Sequence, residues 1–286
     1  MDLGKLRIAV PTLARVERQI FVRNMPREFH KYVHFYAPES ECADLERVWK
    51  GTTAHPTKQE GHMGIKRQMM LDDAKGIVLM ADDDVRITNT TWDRTKSQAK
   101  ADGYLSANQP EEWYKFFSLI KDCVRGGMGM CGVTYASQVW QTSRRAWMKQ
   151  ATGPSRLWGI YAINARLAKQ FNFRFDNLRC MEDFDFNLQM LRSGVPTGIL
   201  TTYVWNQPGS NVAGGCSTYR TQSVQADAAR GLESRHPKFV TIVEKDSNWE
   251  GEMQEKRIDC RIAWARAALA GGCPPVEGLA PAREKK

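Results

Sequence analysis

The chain predicts an α/β fold, and three observations carry that expectation. Apolar runs too short to be helices recur at residues 6–10, 32–37, 76–81 and 197–205, and each reads as a buried strand. Stretches of helical periodicity lie between them, at 39–50, 65–75 and 111–124. One strand, Gly76 to Ala81, ends abruptly in Asp82-Asp83-Asp84, and the other elements are read around that end.

A chain of 286 residues holds one large α/β domain or two small ones. No apolar run approaches the ~20 residues that span a bilayer. The apolar stretch before Pro11 is too short for a signal peptide, so the expected location is the cytoplasm. Seven cysteines are scattered without a Cys-x-x-Cys pair, which leaves zinc and redox motifs unsupported and reduced thiols expected. The net charge is +9 despite two acidic clusters, so the remaining surface is more basic than the total suggests. Phosphate-bearing partners suit such a surface.

In chain order, Leu6 to Val10 reads as the first strand, and the turn at Pro11-Thr12-Leu13-Ala14-Arg15 follows it. Such turns are where open α/β sheets bind ligands, and Pro11, Thr12 and Arg15 are candidates to meet a nucleotide there. Residues 32–37 read as a second strand, 39–50 as a short helix and 51–64 as a polar loop. His30 and His34 read as structural. Ile65 to Lys75 is helical, and Arg67 is the residue favoured to point into the crevice beside Asp82 and Asp83. Arg86 to Thr88 is a short edge, 89–112 a polar loop of the length of a lid, and Glu111 to Val124 an amphipathic helix. The glycine-rich segment 126–133 leads into another buried strand.

Residues 138–158 interleave Trp140, Arg144, Arg145, Trp147, Lys149, Arg156 and Trp158. Cations beside aromatic rings suit nucleic acid, the charges meeting phosphates and the rings stacking on bases, and Arg144, Arg145, Lys149 and Trp147 are the candidates. Packed rings with solvated arginines fit the pattern equally well. Glu182-Asp183-Phe184-Asp185 opens a helix stopped by Gly194, with Phe184, Leu188 and Leu191 on one inward face. Residues 206–221 are rich in Gly, Ser and Thr, and Gly214, Gly215 and Arg220 would make a clamp for a diphosphate. Gln222 to Leu232 is helical and His236-Pro237 follows; His236 becomes a metal candidate if the chain returns to the crevice. A charged helix over 251–270 and a disordered tail complete the reading. The expected organisation is a main domain at 1–245, a helical extension at 246–272 and a tail at 273–286.

Three carboxylates at a buried strand end repel one another unless a cation sits among them. A hard divalent cation takes such oxygen ligands and can also hold a diphosphate. Taken in order, the Pro-Thr turn, the acidic strand end, the glycine-rich strand and Glu182-Asp183-Phe184-Asp185 resemble GT-A glycosyltransferases of the family-2 type over residues 6–240. The resemblance implies a Rossmann-like nucleotide-sugar-binding domain with a mixed central sheet. It implies that Asp82 and Asp84 are the Asp-x-Asp pair holding Mn²⁺ or Mg²⁺ and the diphosphate of a UDP-sugar donor. It places the catalytic base in Glu182-Asp183, with Asp183 favoured and Asp185 as the second choice. The Gln-x-x-Arg-Trp acceptor motif of many family-2 enzymes is absent. The Gly-Gly-Cys-Ser-x-Tyr-Arg stretch and the basic C-terminal part are instead similar to bacteriophage glycosyltransferases associated with TET/JBP-type oxygenases. That likeness implies 5-hydroxymethylcytosine in DNA as acceptor. Two other readings remain open: a soluble glycosyltransferase for a saccharide, lipid or protein acceptor, and a nucleic-acid-binding module on a GT-A-like scaffold without catalysis. The intact acidic sets speak against the last.

Overall fold

The computed structural model describes residues 2–58, 62–207, 219–246 and 256–276. Its strands are β1 (Arg7–Pro11), β2 (Val33–Pro38), β3 (Thr53–Thr57), β4 (Ile77–Ala81), β5 (Arg86–Asp93), β6 (Gln98–Tyr104), β7 (Met130–Tyr135), β8 (Ala151–Thr152), β9 (Ile160–Asn164), β10 (Thr197–Asn206), β11 (Val240–Asp246) and β12 (Lys256–Ile262). Its helices are α1 (Ile20–Asn24), α2 (Glu39–Val48), α3 (Met63–Asp73), α4 (Pro110–Arg125), α5 (Arg144–Met148), α6 (Ala165–Gln170), α7 (Glu182–Arg192), α8 (Gln222–Arg235) and α9 (Trp264–Gly271).

The first ten strands form one mixed sheet in the order β3-β2-β1-β4-β9-β7-β10-β5-β6, with β8 beside β10. Strands β3, β2, β1 and β4 run parallel, β9 is antiparallel to both β4 and β7, and β7 and β10 are parallel again. The acid-tipped β4 therefore lies at the centre, between β1 and β9, and its C-terminal end sits beside that of β1. Apolar runs buried on both faces read as continuous rather than alternating, as β1, β4 and β9 do.

Each face has its own cover. Phe21, Phe29, Trp113, Phe116 and Phe117 pack from α1, the segment after it, and α4 on one side. Met70, Leu71, Phe175, Phe186 and Met190 pack from α3, the α6–α7 connection and α7 on the other. The helix α7 is buried twice over. Its Phe186 and Met190 meet the sheet, while Phe184, Leu188 and Leu191 meet a third cluster with Ala229, Leu232, Phe239 and Trp264. Nine of its eleven residues are buried, so the acids of its first turn are carried inside the protein.

Three sequence expectations are corrected here. The polar stretch 89–112 holds most of a hairpin, β5 and β6, that extends the sheet beyond β10. Its Thr-rich, half-exposed strands carry little apolar signal. The loop at 51–64 contains the edge strand β3, where Pro56 is tolerated because an edge need not donate on both sides. Within the described part of the helix expected over 251–270, and of the helical extension expected at 246–272, stand strand β12 and then α9, with β12 paired to β11. Arg257, Asp259 and Arg261 alternate with Ile258, Cys260 and Ile262, the period of two that marks a strand.

One glycine fixes how β9 meets the acidic turn. The Asp82 amide donates to the Gly159 carbonyl at 2.8 Å. Gly159 has φ +70°, and a Cβ there would run into the Trp205 ring. Gly159→Ala is expected to cost about 1–2 kcal/mol for the left-handed backbone and about 1–3 kcal/mol for overpacking. Urea unfolding measures it; a loss below about 0.5 kcal/mol would show that the junction is not constrained in this way.

Candidate active site

The β4 end delivers its three acids to different surroundings. Asp83 turns inward, with 5% of its side chain exposed. Its oxygens accept from the Thr12 hydroxyl at 2.8 Å and from Arg15 at 2.7 Å, and Gln19 in turn donates to the Thr12 oxygen at 2.8 Å. The turn after β1 is thus bound to the turn after β4. Asp82 and Asp84 keep 29% and 21% of their side chains exposed. Arg15 also reaches Asp84, at 3.2 Å. Thr12 and Arg15, expected to meet a nucleotide, are here engaged with these acids, and Asp83 is a strut between loops rather than a group facing the crevice. Pro11 is buried at the end of β1, in register with Tyr36.

Arg67 joins the two acidic clusters, which lie one hundred residues apart in the chain. From α3, one arm of its guanidinium meets Asp82 at 3.0 Å, and the other meets Glu182 at 2.8 Å and Asp183 at 3.7 Å. Its guanidinium also lies 5.4 Å from the centre of the Tyr161 ring. Burial opposes its charge, but Tyr161 and the carboxylates Glu182, Asp82 and Asp183 outweigh that and hold its pKa well above the ordinary value. One guanidinium cannot neutralise three carboxylates. Burial, only partly offset by Arg67, therefore pushes Glu182 up to about 7 and raises Asp183 as well. Burial followed by the charges of Asp82 and Asp83 pushes Asp84 up to about 7. Buried carboxyls held near neutrality beside a single cation are characteristic of functional sites.

Asp185 and His236 belong elsewhere. The Asp185 side chain has no exposure and accepts from Asn177, Gln189, Arg235 and His236 at 2.7–2.9 Å. These bonds outweigh burial and lower its pKa. The second ring nitrogen of His236 accepts from Arg192 at 2.8 Å. Both nitrogens are thus occupied, and His236 is removed from the metal candidates; Asp185 is removed from the catalytic ones. Together they pin α8 to α7.

The basic segment is split. Arg144 and Arg145 are exposed and Lys149 half-buried on and just after α5. Trp147 is not an open platform, because its indole donates to Thr90 at 2.9 Å and its ring leans on Trp92. The exposed ring of this region is Trp140. Gly214 and Gly215 lie outside the described residues. Gln225 accepts from two nitrogens of Arg220, at 3.1 and 2.8 Å, and the neighbouring Tyr219 hydroxyl accepts from the Met63 amide at the start of α3.

Arg156 was not singled out by sequence as a site residue, yet it stands beside Asp183, between the Trp158 and Phe184 rings. The Arg-x-Trp spacing was its only signal. Among the described residues, no three His, Cys, Asp or Glu side chains converge to hold a metal alone. A Mg²⁺-type site needs only one or two carboxylates when phosphates complete the shell. Asp82 and Asp84, partly exposed and with Asp84 short of compensating charge, fit that requirement.

A family model described as TET-Associated Glycosyltransferase matches residues 6–215. No curated protein matches the chain. Among solved structures, a mannosyltransferase from Pyrobaculum calidifontis in complex with GDP-Man and Mn²⁺ is 14% identical, with 82% of this chain and 63% of that one covered and a TM-score of 0.48. GalNAc-T7 with UDP, GalNAc and Mn²⁺ is 11% identical, covering 70% and 43%, with a TM-score of 0.42. The chain thus spans less than two thirds of the length of either.

The raised Glu182 gives a pH signature. Between its ordinary value of 4.5 and about 7, the folded protein holds a proton that the unfolded chain has released. Stability from this group is therefore greatest below 4.5, falls as pH rises through that window and is level above it. Glu182→Gln is expected to abolish this part of the slope. Thermal unfolding of both proteins from pH 5 to 8 measures it, and parallel curves would contradict the assignment.

Proposed function

Because the chain belongs to the TET-associated glycosyltransferase family, we propose that it moves a sugar from a nucleotide-sugar donor, a UDP-sugar, onto the hydroxyl of 5-hydroxymethylcytosine in DNA. The single observation that carries this reading is the union through Arg67 of Asp82 with Glu182 and Asp183. It joins Asp82 to Glu182 and Asp183, and supports reading the first as a donor-side acid and the others as candidate bases, since group transfer to a hydroxyl needs both close together.

Asp82 and Asp84 would hold Mn²⁺ or Mg²⁺. Such an ion, when bound, offsets negative charge on the departing diphosphate. Asp183 takes the proton of the acceptor hydroxyl as its oxygen bonds to the anomeric carbon and the bond from that carbon to the diphosphate breaks. Burial raises its pKa above the ordinary carboxylate value, which makes it a stronger base than an exposed aspartate. Arg67 orients Asp183 and keeps Glu182 beside it. Arg220 faces the diphosphate from the start of α8.

A polyanionic acceptor would be gripped through its phosphates, and the exposed Arg144 and Arg145 with Lys149 supply cations for that. The target nucleotide must be turned out of the duplex or presented single-stranded for its hydroxyl to reach Asp183.

The test is the mass of 5-hydroxymethylcytosine-containing DNA after incubation with a panel of nucleotide sugars and Mn²⁺ or Mg²⁺. A hexose-sized gain that requires both the metal and the hydroxymethyl group is expected. Asp183→Asn should keep donor binding and lose ~10²–10⁴-fold in rate, the range for a lost general base. Asp84→Ala should lose the metal dependence of donor binding along with turnover. No gain on DNA but transfer to a saccharide, lipid or protein would replace the acceptor and leave the donor chemistry standing.

A further inference from the structure

Arg156 stands beside Asp183, held by ring contacts and, among the described residues, by no hydrogen bond. Its guanidinium carbon is 4.4 Å from the centre of the Trp158 ring and 4.7 Å from that of Phe184. Two ring faces hold a planar cation in a fixed orientation. Among the described residues, Arg156 makes no hydrogen bond and no ion pair; its contacts are these rings. The residue still reaches solvent. A stacked guanidinium leaves its N–H edge free in the plane of the group, the geometry that meets a phosphate with two parallel bonds.

The surrounding charges give this edge a direction. The charged groups acting most strongly on Arg156 are the carboxylates of Asp183 and of Asp259 on β12. Asp82 is reached through the opposite arm of Arg67 from Glu182 and Asp183. Arg156 accordingly lies on the Asp183 side, toward the β11–β12 hairpin, rather than at the tip of β4. Trp158 and Phe184, each spent on the guanidinium, are not left to stack on a base.

We propose that Arg156 is a phosphate-binding fork on the acceptor side of Asp183, and that it takes the backbone phosphate adjoining the nucleotide that presents its hydroxyl. The proposal rests on the DNA-acceptor reading above and adds a specificity residue to it. The fork registers the acceptor on its phosphodiester, so that the hydroxyl next to that phosphate arrives at Asp183. An acceptor without a neighbouring phosphate forfeits this contact.

Arg156→Gln and Arg156→Lys, each checked for native folding by circular dichroism, test it. The acceptors are an oligonucleotide bearing one 5-hydroxymethylcytosine and the free 5-hydroxymethyl nucleoside; the donor is the UDP-sugar. For Arg156→Gln, the KM for the oligonucleotide should rise about tenfold or more, as for loss of a charge-assisted contact. The salt slope of oligonucleotide affinity should fall by about 0.7–0.9, one phosphate contact. Discrimination between oligonucleotide and nucleoside should shrink by the same factor, and calorimetry should find the donor Kd within about twofold of wild type. Arg156→Lys should recover the salt slope and only part of the KM, since it keeps the charge and loses the fork. A weakened donor Kd with an unchanged oligonucleotide KM would assign the fork to the donor's diphosphate and overturn the proposal. Transfer by wild type with an unaltered salt slope in Arg156→Gln would overturn the proposal alone. Absence of transfer to the oligonucleotide by wild type would overturn the DNA reading, and the proposal with it.

Discussion

Arg67 is the constraint on which the rest of the site depends. Three carboxylates from two distant segments meet around one buried guanidinium. A buried ion pair is weak evidence of stability, because desolvation costs about as much as attraction returns. Here the deficit of positive charge has a use. It leaves Glu182 near 7, raises Asp183 and sets the protonation of the crevice close to neutrality.

The fold keeps that arrangement rigid by packing α7 on both sides. The sheet holds Phe186 and Met190, and the C-terminal elements hold Phe184, Leu188 and Leu191. Asp185 accepts three hydrogen bonds, from Arg235, His236 and Asn177, that fasten α7 to the end of α8 and to the segment before it, and a fourth from Gln189 within α7. Neighbouring acids in one helical turn therefore do opposite work. Asp183, close to Arg67 and Arg156, faces the crevice. Asp185 faces inward and secures the helix that carries it. On the other side, Thr12 and Arg15 do for the β4 turn what Asp185 does for α7, with Asp83 as their anchor.

The central strands and both acidic clusters were legible in the sequence because they combine two strong signals, an apolar run and charge placed abruptly at its end. Arg67 was legible as a basic residue one helix ahead of the acidic strand. The peripheral strands were not: β3, β5, β6 and β12 are polar and largely half-exposed, so alternation was the only cue and it was faint. The roles within Asp82–Asp84 and Glu182–Asp185 were also beyond the pattern, since one-residue steps decide which carboxylate turns inward. His236 needed the fold itself, because its partner Asp185 lies fifty-one residues away. Arg156 was seen among interleaved cations and rings, but nothing local indicated that it would sit beside Asp183.

The hub role of Arg67 is tested most directly by a double-mutant cycle in urea unfolding at pH 7.5. Arg67→Met is compared in wild type and in the Glu182→Gln/Asp183→Asn background. Removing the cation from among its carboxylates is expected to cost about 3–5 kcal/mol in wild type, as for breaking a buried pair. In the neutralised background the same change should cost less than about half as much, because two of the three charges it served are gone. Equal losses in the two backgrounds would contradict the account, showing that Arg67 contributes packing alone and that the two acidic clusters are joined by something else.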